Sequence, residues 1–127
     1  MHAVEVGTSQ GMAPRLLLAD DDDAFREQLA AIVRDLVPEG EIVAAVADGH
    51  AAVAAAMAHS PTVVLMDYSM PGPNGAHAAS VIAQALPGVR IVILSGLEPT
   101  ELEDLPGDVR IVRKGAGMER ALAEALG

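Results

Sequence analysis

The sequence predicts an α/β protein, a single five-stranded parallel sheet with helices on both faces. Two observations carry this. Five short runs are apolar throughout, as strands buried on both faces require. The segments between them carry apolar residues at helical spacing, and strand–helix alternation builds a doubly wound (βα)5 sheet. A chain of 127 residues, 51% of them hydrophobic, is one ordinary domain with enough mass to bury a core. That core must be aliphatic, because the chain has one Phe, one Tyr and no Trp.

Taken in order, "RLLLA" at 15–19 reads as the first strand. Phe25, Leu29, Ile32, Val33 and Leu36 then recur at helical spacing up to Pro38-Glu39-Gly40. "EIVAAV" at 41–46 is the second strand, and Asp48-Gly49 turns into an Ala-rich helix over 50–59. "TVVLM" at 62–66 is the third strand, followed by the turn-rich "DYSMPGPNG" and a helix over 76–86, stopped by Pro87-Gly88. "VRIVIL" at 89–94 is the fourth strand. A short helix is expected over 99–105, then "VRIVR" at 109–113 as the fifth strand. Met118, Ala121, Leu122, Ala125 and Leu126 mark a last amphipathic helix. Residues 1–13 read as a flexible N-terminal tail, and 14–127 as the domain.

Several function classes lose support. The absence of Cys removes disulfide and thiolate chemistry. The N-terminus lacks the basic and apolar regions of a secretory signal. No run reaches the roughly 20 apolar residues of a membrane span, so a cytoplasmic location is the expectation. Eighteen acids against eight bases give a net charge of -10, which disfavours direct nucleic-acid binding. One group of acids, Asp20 to Asp23, follows the first strand. Another, five acids and no base, runs through "EPTELEDLPGD" at 98–108.

In a parallel sheet, the loops after the strands share one edge, where ligands bind. Asp20 and Asp21 follow the first strand, Asp67 the third, Ser95 the fourth and Lys114 the fifth. Clustered carboxylates suit a hard divalent cation, and Mg2+ fits one or two of them plus waters. Lys114, the only lysine, is costly beside an apolar strand without an anionic partner. A carboxylate or a phosphoryl group would satisfy it, Ser95 offers a hydroxyl to the same anion, and Gly96 leaves the approach open. A metal and a lysine to neutralise oxygens, with a carboxylate to attack, is the chemistry of phosphoryl transfer. Of the four adjacent aspartates, Asp23 is assigned to the start of the first helix, and Asp22 is open between helix and edge.

"LLLADDDDAFREQL", "VVLMDYSMPGPNG", "IVILSG" and "IVRKG" together resemble the receiver domains of bacterial two-component response regulators, most closely those of the LuxR/NarL type. The resemblance implies a flavodoxin-like sheet with strand order 2-1-3-4-5. It implies Asp67 as phosphoacceptor, and Asp20, Asp21, Asp67 and the backbone carbonyl of Ser69 around Mg2+. Ser95 would turn toward the phosphoryl group and Lys114 would pair with it. The implied donor is a sensor histidine kinase, and the domain would promote its own phosphorylation and hydrolysis. A LuxR-type DNA-binding domain or other output outside this chain, and a homodimer formed on phosphorylation, are implied partners. The pattern is departed from in places. Ile111 stands where many receivers carry a switching aromatic, Gly115 stands where proline often follows the lysine, and the segment between Ser95 and Lys114 is short, which implies a reduced or irregular fourth helix. Ser69 and Leu97 at the positions that tune hydrolysis imply a phosphoryl lifetime that is not unusually short. Two other readings compete. One is a pseudo-receiver acting as an unphosphorylated interaction module. The other is a haloacid-dehalogenase-type phosphatase using Asp20, which leaves Asp67 idle.

Overall fold

The computed structural model describes residues 13–72 and 74–127. Most of the expected N-terminal tail, residues 1–12, lies outside the described residues. The elements run β1 (Arg15–Ala19), α1 (Asp23–Leu36), β2 (Glu41–Val46), α2 (Gly49–His59), β3 (Val63–Asp67), α3 (Gly75–Ala85), β4 (Arg90–Ser95), β5 (Arg110–Arg113) and α4 (Met118–Leu126). All pairings are parallel and the strand order is β2-β1-β3-β4-β5.

The sheet separates two cores, one on each face. Leu16 and Leu18 of β1, with Val63, Leu65, Val92, Leu94 and Val112, pack against α1 and α4. Leu17 and Ala19, with Val64, Met66, Ile91 and Ile93, pack against α2 and α3. Successive residues of a strand point to opposite faces, so an uninterrupted apolar run serves both cores at once. Each fully buried Leu or Ile contributes on the order of 2 kcal/mol.

One segment departs from the sequence expectation. The helix expected over 99–105 is a single 3-10 turn, Pro99–Glu101, and the rest of the β4–β5 connection is irregular. Leu102 is extended at φ -87° and ψ 137°, Asp104 is left-handed at φ 61°, and Pro106 follows. A left-handed residue and a proline two positions later stop any helix. This strap takes the place of a helix over β4 and β5 on the α2/α3 face, covering it with Leu102, Leu105 and Val109, all only partly buried. Ile111, on the same face of β5, is left 37% exposed.

The start of α1 also differs from expectation. Asp22, not Asp23, is the N-cap: its Oδ1 accepts from Phe25 N–H at 3.0 Å. Asp23 is the first helical residue and pairs with Arg26 at 2.7 Å. The cap falls one residue early because Asp20 Oδ1 accepts the Asp22 N–H at 2.9 Å, which fixes the turn before the helix begins. At the start of α3, a Cβ on Gly75 would lie 2.1 Å from the carbonyl oxygen of Asp67 and 2.8 Å from Tyr68 Cα. Only glycine lets that helix meet the end of β3.

Three stability outcomes follow, all readable by urea denaturation. Asp22→Ala should cost about 1 kcal/mol, whereas Asp23→Ala, losing an exposed pair and a favourable helix-end charge, should cost roughly 0.3 kcal/mol. Gly75→Ala, forced against backbone, should cost about 3 kcal/mol.

Candidate functional site

Strand register assembles the site. Ala19 lies opposite Met66, so Asp20 and Asp67, each the next residue, arrive together at the carboxyl edge. Asp67 lies opposite Leu94, and Ser95 opposite Arg113, which brings Lys114 in last. The ladder continues just past the strands: Asp20 N–H donates to the Val46 carbonyl at 3.0 Å, and Lys114 N–H to the Ser95 carbonyl at 2.8 Å. Asp20, Asp67 and Lys114 share the alternation phase of Leu18, Leu65 and Val112, whose side chains face α1 and α4. Ser95 follows Ile93 in the other phase, on the side of the strap.

Asp20 is fully buried, and Asp67 and Ser95 nearly so. Lys114 Nζ bridges the two acids, 2.9 Å from Asp20 Oδ2 and 3.3 Å from Asp67 Oδ1. The ammonium also sits 4.3 Å from the centroid of the Phe25 ring, a cation–π contact that supports charge at a place with little water. Asp67 Oδ1 further accepts the Ser69 N–H at 3.3 Å. These bonds leave Asp67 Oδ2 uncommitted among the described residues.

One ammonium does not neutralise this much acid. Burial drives the Asp67 pKa from 3.8 up to about 6; Lys114 pulls it down, Asp20 pushes it up, and the Ser69 N–H gives slight relief. Burial also opposes the charge on Lys114, yet its hydrogen bond to Asp20 and the charges of Asp67 and Asp20 hold its pKa above 10.5. Both partners of one ion pair are thus raised, because a single cation is shared between two carboxylates in a poorly solvated place. Asp21, exposed, completes a group in which carboxylate oxygens of Asp20, Asp21 and Asp67 lie within 4.8 Å of one another. An all-oxygen donor set with surplus negative charge could hold a hard divalent cation such as Mg2+. An open concavity lined by Asp21, Tyr68, Ser69, Met70, Pro71 and Asn74 adjoins these carboxylates.

The structure therefore brings Asp20, Asp21, Asp67 and Lys114 together. Ser95 lies on the same edge, but its Oγ accepts the Leu97 N–H at 2.9 Å and bonds none of the acids among the described residues. Three neighbours were not singled out from the sequence. Arg26 donates to the Asp20 carbonyl at 2.8 Å while pairing with Asp23, so it pins the acidic turn from one helical turn away. Phe25 holds the ammonium. Tyr68 reaches across to the strap, its hydroxyl accepting from Glu103 N–H at 3.1 Å and donating to the Glu103 carbonyl at 3.4 Å. The available signal was their rarity and position: the sole Phe and sole Tyr stand beside the acidic run and beside Asp67.

Comparison with known proteins agrees with this geometry. The family model of the response regulator receiver domain matches residues 16–105, a span that includes Asp20, Asp21, Asp67 and Ser95 and stops short of Lys114. The transcriptional regulatory protein DegU of Brevibacillus brevis is 37% identical over 81 residues, 64% of this chain and 34% of that protein. A protein-glutamate methylesterase/protein-glutamine glutaminase of Anaeromyxobacter dehalogenans is 41% identical over 87 residues, 68% of this chain and 25% of that protein. The chain thus spans only about a quarter to a third of the length of these curated relatives. The solved signal receiver domain of NarL from Mycobacterium tuberculosis superposes with a TM-score of 0.76 at 27% identity, covering 88% of this chain and 91% of that one. The chain belongs to the response regulator receiver family of two-component systems.

The raised Asp67 pKa carries a pH signature in metal-free protein. The folded state holds this proton more tightly than the unfolded chain, so the associated stability is complete below about pH 3.8 and is lost as pH rises through about 6. In EDTA, wild type should therefore lose stability relative to Asp67→Asn between those pH values. Melting temperatures of the two proteins from pH 4 to 7 read this directly; a constant difference would contradict the burial argument.

Proposed function

We propose that this chain is a phosphorylation-controlled switch that accepts a phosphoryl group on Asp67 from a sensor histidine kinase. The observation that carries it is the Lys114 ammonium shared between Asp20 and Asp67, with a carboxylate oxygen of Asp21 within 4.8 Å of theirs. Asp67 Oδ2 is the attacking oxygen. It forms the O–P bond as the P–N bond to the donor imidazole breaks, and the imidazole leaves with the electron pair and takes a proton from solvent. Lys114 stays against Asp67 Oδ1 and compensates charge on the transferring group's oxygens. Ser95, freed from Leu97 N–H, can donate its hydroxyl proton to the new anion. Asp20, Asp21, Asp67 and the Ser69 carbonyl would hold a Mg2+ ion, which would supply further neutralisation of those oxygens. Hydrolysis by water breaks the same O–P bond and returns Asp67 with inorganic phosphate.

The relatives join this region to different activities, one a transcriptional regulatory protein and one a methylesterase. Transcriptional control is the output supported by the likeness to DegU and to the NarL receiver, and it lies outside the matched region. No described helix is long and apolar enough to cross a membrane.

Incubation with acetyl phosphate and Mg2+, followed by intact-mass measurement, should add one phosphoryl group. EDTA and Asp67→Asn should each abolish the addition, and Asp21→Ala should reduce it at least tenfold, an effect of the size expected for loss of a metal ligand. Addition that survives Asp67→Asn would sink the reading. Hydrolysis of p-nitrophenyl phosphate that needs Asp20 but not Asp67 would favour the phosphatase alternative.

A further inference from the structure

The strap between β4 and β5 is held down by few contacts, and one of them starts at the residue next to Asp67. Tyr68 is the only tyrosine. Its backbone is fixed on both sides: its N–H donates to the Leu94 carbonyl at 2.9 Å, and its carbonyl accepts the Gly75 N–H at 2.9 Å. From that fixed base the phenol makes two hydrogen bonds to the backbone of Glu103, 35 residues away. Leu102 and Leu105 on either side of that contact are only partly buried. The strap's first turn is tied to the site as well, through Ser95 Oγ and Leu97 N–H, and Glu98 pairs with Arg113 at the edge strand.

The charge on this strap is one-sided. Residues 98–108 hold five acids and no base. A phosphoryl group adds about two negative charges at neutral pH. Placed on Asp67, that charge stands next in the chain to the residue clamping the strap, and it repels the strap's exposed acids through a medium that salt can screen. The same event draws on the Ser95 hydroxyl, whose present bond holds Leu97.

We propose that Tyr68 is a positioning residue that clamps the acidic strap in the unmodified protein, and that phosphorylation of Asp67 releases the clamp by charge repulsion. The release half rests on the phosphoacceptor reading above; the clamp half does not. Ile111, the exposed residue on β5 beneath the strap, then needs no aromatic side chain to convey the change. The moving part is the strap, and the phenol that governs it comes from the end of β3.

The experiment is amide hydrogen exchange at Glu103, measured by NMR on the whole chain. Wild type and Tyr68→Phe are each compared with and without acetyl phosphate and Mg2+, and mass spectrometry records the phosphate added. Tyr68→Phe keeps the ring and removes only the hydroxyl. Without phosphodonor it should speed Glu103 exchange roughly fivefold, the loss expected for one or two modest hydrogen bonds. Exchange at Leu65 and Met66 should not change, which shows that the sheet is intact. Phosphorylated wild type should reach the exchange rate of unmodified Tyr68→Phe, and phosphorylation should add little more in the variant. Raising the salt concentration should weaken the effect of phosphorylation, because the repulsion is screened, and leave the effect of the substitution alone. Equal Glu103 exchange in unmodified wild type and Tyr68→Phe would overturn the clamp. Unchanged exchange in wild type that carries the phosphate would overturn the release. A wild type that takes up no phosphate overturns the phosphoacceptor reading and the release with it, and this shows in the mass while the clamp is still decided by the substitution.

Discussion

The shared ammonium of Lys114 is the interaction on which the rest of the site depends. Asp20 has no exposed surface and Asp67 very little, and two carboxylates taken out of water cost several kcal/mol each unless compensated. Lys114 compensates both, at 2.9 and 3.3 Å. Phe25 and the Asp22 N–H help to hold the arrangement, one against the cation and the other against Asp20. The compensation is incomplete, as the Asp67 pKa of about 6 records. The imbalance leaves surplus negative charge that could accommodate one more positive charge, with the exposed Asp21 at its open side.

The same edge divides into a rigid half and a looser half. On the α1/α4 face, the carboxylates and lysine rest on a core of fully buried leucines and valines, closed by two amphipathic helices. On the other face, the strap replaces a helix and buries its few apolar side chains only in part. Local opening is drawn from regions with little buried apolar area, so the chemistry sits on the firm half while the movable half adjoins it through Ser95 and Tyr68. Alternation along β4 makes this division. Ser95 is one residue out of phase with the acid cluster and therefore belongs to the strap's side.

Most of the fold was legible because it rests on period and burial. The five apolar runs became the five strands with boundaries shifted by a residue at most, and Pro87-Gly88 and Pro38-Glu39-Gly40 ended their helices as expected. The short Ser95–Lys114 segment pointed to a reduced helix, but the extent of the loss over 99–105 was not legible because its Glu and Leu residues suit a helix locally. Asp104 adopts a left-handed conformation that composition does not announce. Asp20, Asp21, Asp67 and Lys114 could be brought together from sequence because parallel strands end at a common edge. Which of Asp22 and Asp23 caps the first helix could not, since it turns on one hydrogen bond from Asp22 N–H to Asp20. The roles of Arg26, Phe25 and Tyr68 were hidden for a related reason: each is set by where a long side chain ends, which spacing along the chain does not encode.

The order in which the strands are joined has a bearing on how the protein is made. Lys114 lies just after β5, an edge strand and the last of the five in chain order, while Asp20 and Asp67 come from central strands earlier in the chain. Until β5 docks, the nascent sheet carries two acids at its edge with no resident cation, and closing the core over them is unfavourable. Docking of β5 therefore supplies the cation that the two buried carboxylates need, which ties completion of the acidic cluster to completion of the sheet.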